Sequence, residues 1–147
     1  MTELSVVIPA YQEAENLREL LPILVATLRG MSIDYEVLVV DSQEPLDETE
    51  AVCRDHAADG VRHMRRREGP TMGSAYRLGI AASTGQFVIF MDGDGSHDPK
   101  FVTKLFAKRK EANVVVASRY TQGGSTENTW LQRRMSWMVN ITYRVVF

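Results

Sequence analysis

Two carboxylates, one residue apart, follow the most apolar run of the chain. Residues 87–91 are five apolar residues in succession, and Asp92 and Asp94 come directly after them, separated by Gly93. Such a run predicts a strand that is buried on both faces, and ligands of open α/β sheets bind beyond the carboxyl ends of strands. Paired carboxylates at that position suit a hard divalent cation, which in turn suits a substrate that carries phosphate.

The same motif has other interpretations. A calcium loop that began at Asp92 would require glycine at its sixth position and glutamate at its twelfth, where this chain has His97 and Thr103. A phosphatase with Asp92 as its nucleophile would require further lysine and acidic motifs, but only two acidic residues follow Asp98. A solvated turn would use Asp and Gly for their backbone geometry alone. The motif by itself excludes the calcium loop, and it leaves the phosphatase and the solvated turn open as alternatives to a metal site.

Length and composition bound the class of protein. The chain has 147 residues, 44% of them hydrophobic and 24% charged, which is a one-domain length that can bury a core. The net charge of −2 and the sequence pI of about 5.9 argue against nucleic acid as a partner. Cys53 is the single cysteine, which excludes an internal disulfide framework. With no signal-peptide pattern and no apolar stretch of bilayer length, we expect a cytoplasmic protein.

Apolar runs alternate with amphipathic segments along the chain, which predicts a parallel sheet with right-handed crossovers. The predicted strands are residues 4–8, 35–40, 61–64, 87–91 and 114–117. The predicted helices are residues 13–29, 47–58, 72–83, 99–110 and 130–147, with Asp98 as the cap of the fourth and Pro99 at its first position.

Polar residues recur at the carboxyl ends of these strands. A parallel sheet brings such residues to one edge. This convergence makes a solvated turn at Asp92 and Asp94 less favoured than a ligand site. The residues concerned are Tyr11, Asp41, Asp92, Asp94 and Arg119.

Five motifs resemble those of glycosyltransferase family 2, and they run in the family's order over nearly the whole chain. They are residues 6–17, Val39-Val40-Asp41, residues 73–79, residues 91–99, and Ser118-Arg119-Tyr120 with Gly123-Gly124. Within the family the likeness is greatest to dolichol- and polyprenyl-phosphate mannosyltransferases. The resemblance implies an α/β three-layer sandwich with a mainly parallel sheet, the Rossmann-like nucleotide-diphospho-sugar transferase (GT-A) fold. It also implies one nucleotide-sugar-binding domain over residues 1–147, ending before the family's acceptor-side segment.

The resemblance further implies a metal-dependent inverting glycosyltransferase. A hexose, with mannose as the first candidate, would move from a GDP- or UDP-sugar to polyprenyl phosphate. Asp94 and Arg119 would be catalytic, and Asp92, Asp94 and Ser96 would hold Mg²⁺ or Mn²⁺. Arg119 and Arg133 would contact the acceptor phosphate. The implied nucleotide-sugar-binding residues are Pro9, Ala10, Tyr11, Glu13, Asp41, Gly73, Asp92, Gly93 and Asp94.

Two departures from the family pattern keep an alternative open. Residues 42–45, Ser-Gln-Glu-Pro, stand where the family usually has a second acid and Gly-Ser, and Thr71-Met72-Gly73 replaces Gly-x-Gly. The altered loop at residues 42–45, together with the family's acceptor-side segment lying outside residues 1–147, makes a nucleotide-binding module without turnover of its own the alternative function. An acceptor phosphate is already ionised and needs no general base, which favours it over a hydroxyl acceptor.

Several other features have a plain structural interpretation. The run Arg65-Arg66-Arg67 is predicted to be a solvated charge cluster, and His97 to hydrogen-bond its own turn rather than a metal. The apolar segment 130–147 is predicted to pack on the core. The alternatives for it are peripheral contact with the inner face of a membrane and formation of a homodimer.

Overall fold

The computed structural model describes residues 1–67, 69 and 71–118 of the chain. The chain divides into two compact units, Met1–Val115 and Val116–Phe147, and every helix and strand given below belongs to the first. Arg119, Arg133 and the predicted helix at 130–147 lie outside the described residues, so the predictions made for them stay predictions. The same holds for the prediction of one domain over residues 1–147.

A four-stranded, fully parallel sheet forms the centre of the first unit. Its strands are β1 (Leu4–Pro9), β2 (Tyr35–Asp41), β3 (Val61–Arg65) and β4 (Phe87–Phe90), in the order β3-β2-β1-β4. Pro9 pairs with Val40 and Val7 with Phe90, so the carboxyl ends of neighbouring strands lie side by side. The predicted α/β class and parallel sheet are confirmed.

Helices cover both faces of the sheet. They are α1 (Ala14–Gly30), α2 (Thr49–Asp55), α3 (Met72–Ala82) and α4 (Phe101–Ala107), with a short 3₁₀ helix at Ala57–Asp59. The larger core joins α1, α2 and α4 to one face, and a smaller core joins α3 to the other, which gives the predicted three layers. The apolar stripe predicted for the first helix is its buried face: Leu17, Leu20, Leu21, Leu24, Val25 and Leu28.

The start of α3 and its packing on the sheet both follow from local sequence. Thr71 is the N-cap residue, and its Oγ1 accepts the backbone N–H of Ser74 at 3.2 Å. Farther along, a Cβ added at Gly79 would lie 2.3 Å from Cγ1 of Val7. The absence of a side chain at Gly79 therefore lets α3 lie directly against β1.

The prediction that the strand at 87–91 is buried on both faces is wrong. In β4, Phe87 and Ile89 pack against the larger core, but Val88 and Phe90 are 37% and 42% exposed. Among the described residues β4 pairs with β1 alone, so it is an edge strand there and its α3-facing side has only partial cover. Tyr76 supplies part of that cover, with its ring 4.8 Å from the ring of Phe90.

A strand predicted at 114–117 is absent, since those residues have no regular secondary structure and Val114 and Val116 are 76% and 77% exposed. β-branched residues favour extended backbone, but a strand also requires a pairing partner, and the described residues offer none there. The fourth helix begins at Phe101 rather than Pro99, because the backbone bonds from Phe101 to Asp98 at 2.9 Å and from Val102 to Pro99 at 3.2 Å span three residues and form a turn. The side chain of Asp98 accepts the N–H of Lys100 at 3.0 Å in that turn rather than at the start of the helix. No helix in the described part of the chain has the length and apolar character of a membrane span.

Candidate functional site

A cleft of about 320 Å³ opens where β1 and β4 end. β1 leads into the segment that holds Tyr11 and Glu13, and β4 leads into the turn that holds Asp92 and Asp94. Residues predicted from two distant motifs therefore share one cleft, together with two residues that the sequence analysis did not select, Arg66 and Met72. The lining residues are Pro9, Ala10, Tyr11, Glu13, Arg66, Met72, Asp92, Gly93 and Asp94.

The carboxylates of the turn after β4 are accessible. The Asp92 side chain is 41% exposed, and Asp94 is also exposed. Hydrogen bonds from the backbone and side chain of Ser96 lower the pKa of Asp94, and the backbone bond measures 2.9 Å to Oδ1. Asp94 is therefore a carboxylate anion at neutral pH.

His97 belongs to this turn as well. Its Nδ1 lies 3.4 Å from the backbone nitrogen of Asp92, which donates to it. The prediction that His97 hydrogen-bonds its own turn is confirmed.

Gly93 brings the two halves of the cleft together. A Cβ at this position would lie 3.3 Å from both Cγ2 of Ile8 and the carbonyl oxygen of Pro9, and 3.6 Å from Cγ of Glu13. The two distances of 3.3 Å are at the tight end of contact, so the end of β1 packs directly on the backbone between the two aspartates. Glycine between the two aspartates thus allows the end of β1 to approach the turn closely, and a larger residue at this position would push the two apart.

The segment after β1 has an unusual backbone. The N–H of Ala10 donates to the carbonyl of Val40 at 2.9 Å, which continues the sheet for one more residue. Gln12 then has a φ of +58°, a left-handed conformation that non-glycine residues seldom adopt. Tyr11, just before it, is 62% exposed at the mouth of the cleft.

Arg66 corrects the interpretation of the arginine run. It is only 7% exposed, whereas a solvated charge was predicted. Its Nε donates to the carbonyl of Asp41 at 3.0 Å and its Nη1 to the carbonyl of Thr71 at 3.2 Å. Arg66 directly follows β3, so the strand-end argument that selected Tyr11 and Asp92 would have found it.

Asp41 is not among the residues that line the cleft. It is 2% exposed, and its Oδ1 accepts the backbone N–H of Ser42 at 2.7 Å. Its Oδ2 lies 3.1 Å from Nε2 of His63 and 3.8 Å from Nη1 of Arg65. The carboxylate is thus occupied by internal partners, and the nucleotide-binding role predicted for Asp41 stays a prediction.

Gly73 and Ser96 also lie outside the lining of the cleft. Gly73 is the second residue of α3, and its neighbour Met72 lines the cleft instead. The N–H of Ser96 is directed to Asp94. Their predicted roles in binding the nucleotide sugar and the metal stay predictions.

Asp92 and Asp94 are the candidate ligands of a hard cation in this cleft. Within the described residues, no three His, Cys, Asp or Glu side chains are grouped to hold a metal ion by themselves. Mg²⁺ in proteins is usually bound through one or two carboxylates plus the phosphates of a substrate. Asp92 and Asp94, accessible on the cleft and with Asp94 ionised, match that requirement.

Two curated relatives resemble most of the chain. A dolichol-phosphate mannosyltransferase of Pyrococcus furiosus is 32% identical over 134 residues, which are 90% of this chain and 38% of the relative. A polyprenol monophosphomannose synthase of Mycolicibacterium smegmatis is 35% identical over 137 residues, which are 88% of this chain and 49% of the relative. The chain therefore spans less than half the length of these relatives.

Solved structures give the same fold. A glucosyl-3-phosphoglycerate synthase of Mycobacterium tuberculosis, in complex with Mn²⁺, UDP and phosphoglyceric acid, matches with a TM-score of 0.59 and 29% identity, over 74% of this chain and 39% of that one. A mannosyl-3-phosphoglycerate synthase of Rubrobacter xylanophilus matches with a TM-score of 0.62 over 75% of this chain and 36% of that one, and at 19% identity it supports the fold alone. The predicted Rossmann-like GT-A fold is confirmed.

The family assignment rests on the greater part of the sequence. The model of the family described as glycosyl transferase family 2 matches residues 5–146. That range includes residues 5–9 of β1 and the Asp92–Asp94 turn, which both contribute to the lining of the cleft. The chain belongs to glycosyl transferase family 2.

Proposed function

We propose that this chain binds a nucleotide sugar in the cleft between β1 and β4 and, with Mg²⁺ or Mn²⁺, transfers its hexose to polyprenyl phosphate. The donor is a GDP- or UDP-hexose, and mannose is the first sugar to test because two relatives carry mannose in their names. The proposal extends the known family membership to a reaction, a donor class and an acceptor class.

One observation carries the proposal. Asp92 and Asp94, predicted as metal ligands, line the same cleft as Pro9, Tyr11 and Glu13, predicted to bind the nucleotide. These residues come from opposite ends of the first unit's sequence and meet because β1 and β4 are parallel neighbours. Accessible carboxylates and a cleft of about 320 Å³ in one place are what a metal-bound nucleoside diphosphate requires.

The roles of the lining residues follow from their charge and exposure. Asp92 and Asp94 would hold the cation, which when bound supplies charge stabilisation for the nucleoside diphosphate as it leaves. The exposed ring of Tyr11 provides an apolar surface for the base and ribose. The buried guanidinium of Arg66 adds positive charge to the inner wall, where it favours the negatively charged phosphates.

The acceptor class follows from chemistry and from the relatives. A polyprenyl phosphate oxygen is ionised at neutral pH, so the attack on the sugar requires no proton removal by the protein. The two relatives described above are named a dolichol-phosphate mannosyltransferase and a polyprenol monophosphomannose synthase, and both names refer to lipids of the polyprenol type. Arg119 and Arg133 are the residues proposed to contact the acceptor phosphate, since arginine binds phosphate through two parallel hydrogen bonds.

The first test is calorimetry of GDP and UDP binding with Mn²⁺, on the unsubstituted chain and on Asp94→Asn. We expect one nucleotide to bind and Asp94→Asn to lose binding by about tenfold or more, because the amide removes a charged metal ligand. Asp98→Asn is the matched control, since it makes the same charge change four residues away, outside the lining of the cleft. Equal affinity of Asp94→Asn and the unsubstituted chain would exclude the metal role.

A transfer assay separates the proposal from the alternative of binding without turnover. Purified chain, Mn²⁺, a GDP- or UDP-hexose and a short polyprenyl phosphate are incubated, and the glycolipid is measured. Product formation supports the transferase. Nucleotide binding with neither transfer nor donor hydrolysis supports the alternative, a nucleotide-binding module without turnover of its own.

A further inference from the structure

The N-terminus of α1 is capped by a residue from a distant part of the chain. α1 begins at Ala14, and the side chain of its N-cap residue Glu13 makes no capping hydrogen bond. The backbone N–H of Ala14 instead donates to Oδ2 of Asp47 at 2.9 Å, across 33 positions of sequence. Since the first N–H groups of a helix have no acceptor within it, the Asp47 carboxylate replaces a local cap.

The other oxygen of Asp47 is also engaged. Oδ1 accepts the N–H of Thr49, the first residue of α2, at 3.0 Å. Burial by itself raises the pKa of Asp47, but the hydrogen bonds from the Ala14 and Thr49 backbones and the charge of Arg18 outweigh it, so that pKa is lowered. One ionised carboxylate therefore ties the starts of α1 and α2 together.

Ala14 directly follows the segment that lines the cleft. That segment is held at its beginning by the hydrogen bond from Ala10 to Val40. Between these two hydrogen bonds, Gln12 has its φ of +58°, a conformation that persists only where the surroundings impose it. The bond from Ala14 to Asp47 fixes the far end of the segment and so helps to impose it.

The segment in turn determines the space beside the metal-binding turn. A Cβ added at Gly93 would lie 3.3 Å from the carbonyl oxygen of Pro9 and 3.6 Å from Cγ of Glu13, so both ends of the segment lie close to the backbone between Asp92 and Asp94. A shift of the segment would therefore change the cleft on both the nucleotide side and the metal side. Catalytic and binding sites lose function when such supporting contacts loosen by about an ångström.

We propose that Asp47 is a positioning residue of the nucleotide-sugar site, which holds residues 10–13 in their binding conformation by capping α1. This inference rests on the proposed function, because it assigns Asp47 to the same cleft. Asp47 lies outside the lining of that cleft, and its effect passes through Ala14.

The test compares Asp47→Ala with Asp59→Ala. Asp59 also holds α1 through a charged pair, with Arg29 in the last turn of the helix, at the end opposite Ala14. We expect Asp47→Ala to raise the Kd for GDP or UDP with Mn²⁺ by about tenfold or more, and Asp59→Ala to leave it within about twofold. Asp47→Asn, which keeps one acceptor oxygen, is expected to fall between Asp47→Ala and the unsubstituted chain.

Urea unfolding of each variant separates positioning from stability. If the Kd values of Asp47→Ala and Asp59→Ala rise together in proportion to lost stability, or if neither changes, the inference is overturned.

Hydrogen exchange without nucleotide gives a second, independent readout. The Ala14 amide should exchange faster in Asp47→Ala and at the unsubstituted rate in Asp59→Ala. An unchanged exchange rate of the Ala14 amide in Asp47→Ala would overturn the inference that Asp47 holds this segment in place. If the unsubstituted chain binds neither nucleotide, the proposed function fails, and the exchange result alone decides whether Asp47 anchors the segment.

Discussion

Arg66 shows how one side chain can serve both the fold and the site. Its guanidinium bonds the carbonyl that ends β2 and the carbonyl of the residue that caps α3, at Asp41 and Thr71, while it lines the cleft. These bonds join the ends of two elements at the point where phosphates are proposed to bind. Stability and nucleotide affinity should therefore fall together when the guanidinium is removed.

Arg66→Gln should lower the free energy of unfolding by about 1–3 kcal/mol, because the backbone carbonyls of Asp41 and Thr71 lose a charged donor. It should also weaken nucleotide binding. Arg67→Gln is the matched control at an exposed neighbour, with an expected change within about 0.5 kcal/mol. Urea unfolding measures both, and equal losses in the two variants would contradict the assignment.

Glu36 is a buried carboxylate near the amino end of the inner strand β2, whereas the cleft lies where β1 and β4 end. Its Oε1 accepts from Ser5 Oγ at 2.7 Å and from the backbone N–H and Oγ1 of Thr84 at 2.6 and 2.8 Å. Burial raises the pKa of Glu36, but these hydrogen bonds and the charge of Arg62 outweigh it and place that pKa below 4.5. Since the native state binds the proton less readily than the unfolded chain, the ionised form stabilises the fold.

The stability that Glu36 contributes should be present in full above about pH 4.5 and be lost as the pH falls through its lower native pKa. Glu36→Gln should therefore be less stable than the unsubstituted chain at neutral pH by about 1–3 kcal/mol. The difference should shrink below about pH 4.5. Urea unfolding from neutral to acid pH measures it, with exposed Glu19→Gln as the control. A difference that stays constant with pH would refute the role of the charge.

At the scale of elements, the packing of α3 on β1 depends on one glycine. A methyl group at Gly79 would overlap Cγ1 of Val7 at 2.3 Å, and Val7 is fully buried in the sheet. Neither element can yield easily, because Val7 pairs with strands on both sides. The distance between α3 and the sheet therefore depends on the absence of a side chain at Gly79.

Gly79→Ala should destabilise the chain by about 1–3 kcal/mol through overpacking. Gly73→Ala, in the same helix, is the control, because its Cβ would meet Nη1 of Arg77 at an ordinary 3.6 Å. There the helix propensity of alanine should raise stability by up to about 1 kcal/mol. Thermal unfolding compares the two, and opposite signs are expected. A loss for Gly73→Ala as large as that for Gly79→Ala would show that the contact with Val7 is not the cause.

At the scale of the whole molecule, Cys53 reports on opening of the fold. It is 1% exposed in the larger core, and burial, with the charges of Asp41, Asp47 and Glu50, raises its pKa to about 12. A thiol that is both buried and protonated at neutral pH reacts with a disulfide reagent only when the chain opens.

Nucleotide with Mn²⁺ should slow this labelling, because a ligand at 100 times its Kd stabilises the native state by about 2.7 kcal/mol, or about a hundredfold in the open population. A chelator should restore the original rate. The reagent's absorbance measures the course of labelling. Rapid labelling of the native chain would show that Cys53 is reached without opening.

Part of this protein follows from its sequence alone. The apolar spacing of α1 and the alternation of strands and helices determine a parallel α/β sheet, because burial requires those periods. Asp92 and Asp94 were also found from the sequence, because they directly follow a predicted strand, and ligands of such sheets bind beyond the carboxyl ends of the strands. His97 was assigned correctly from its place in a short polar turn.

Tertiary structure decided the rest, because it depends on partners that are distant in sequence. Residues 114–117 resemble a strand but have no neighbour among the described residues to pair with. Arg66 is predicted to be a surface charge because it stands beside two other arginines, but it is buried, since its guanidinium donates to carbonyls at the end of β2 and at the cap of α3. Asp47 caps a helix that begins 33 residues before it, and no local pattern encodes a hydrogen bond across that separation.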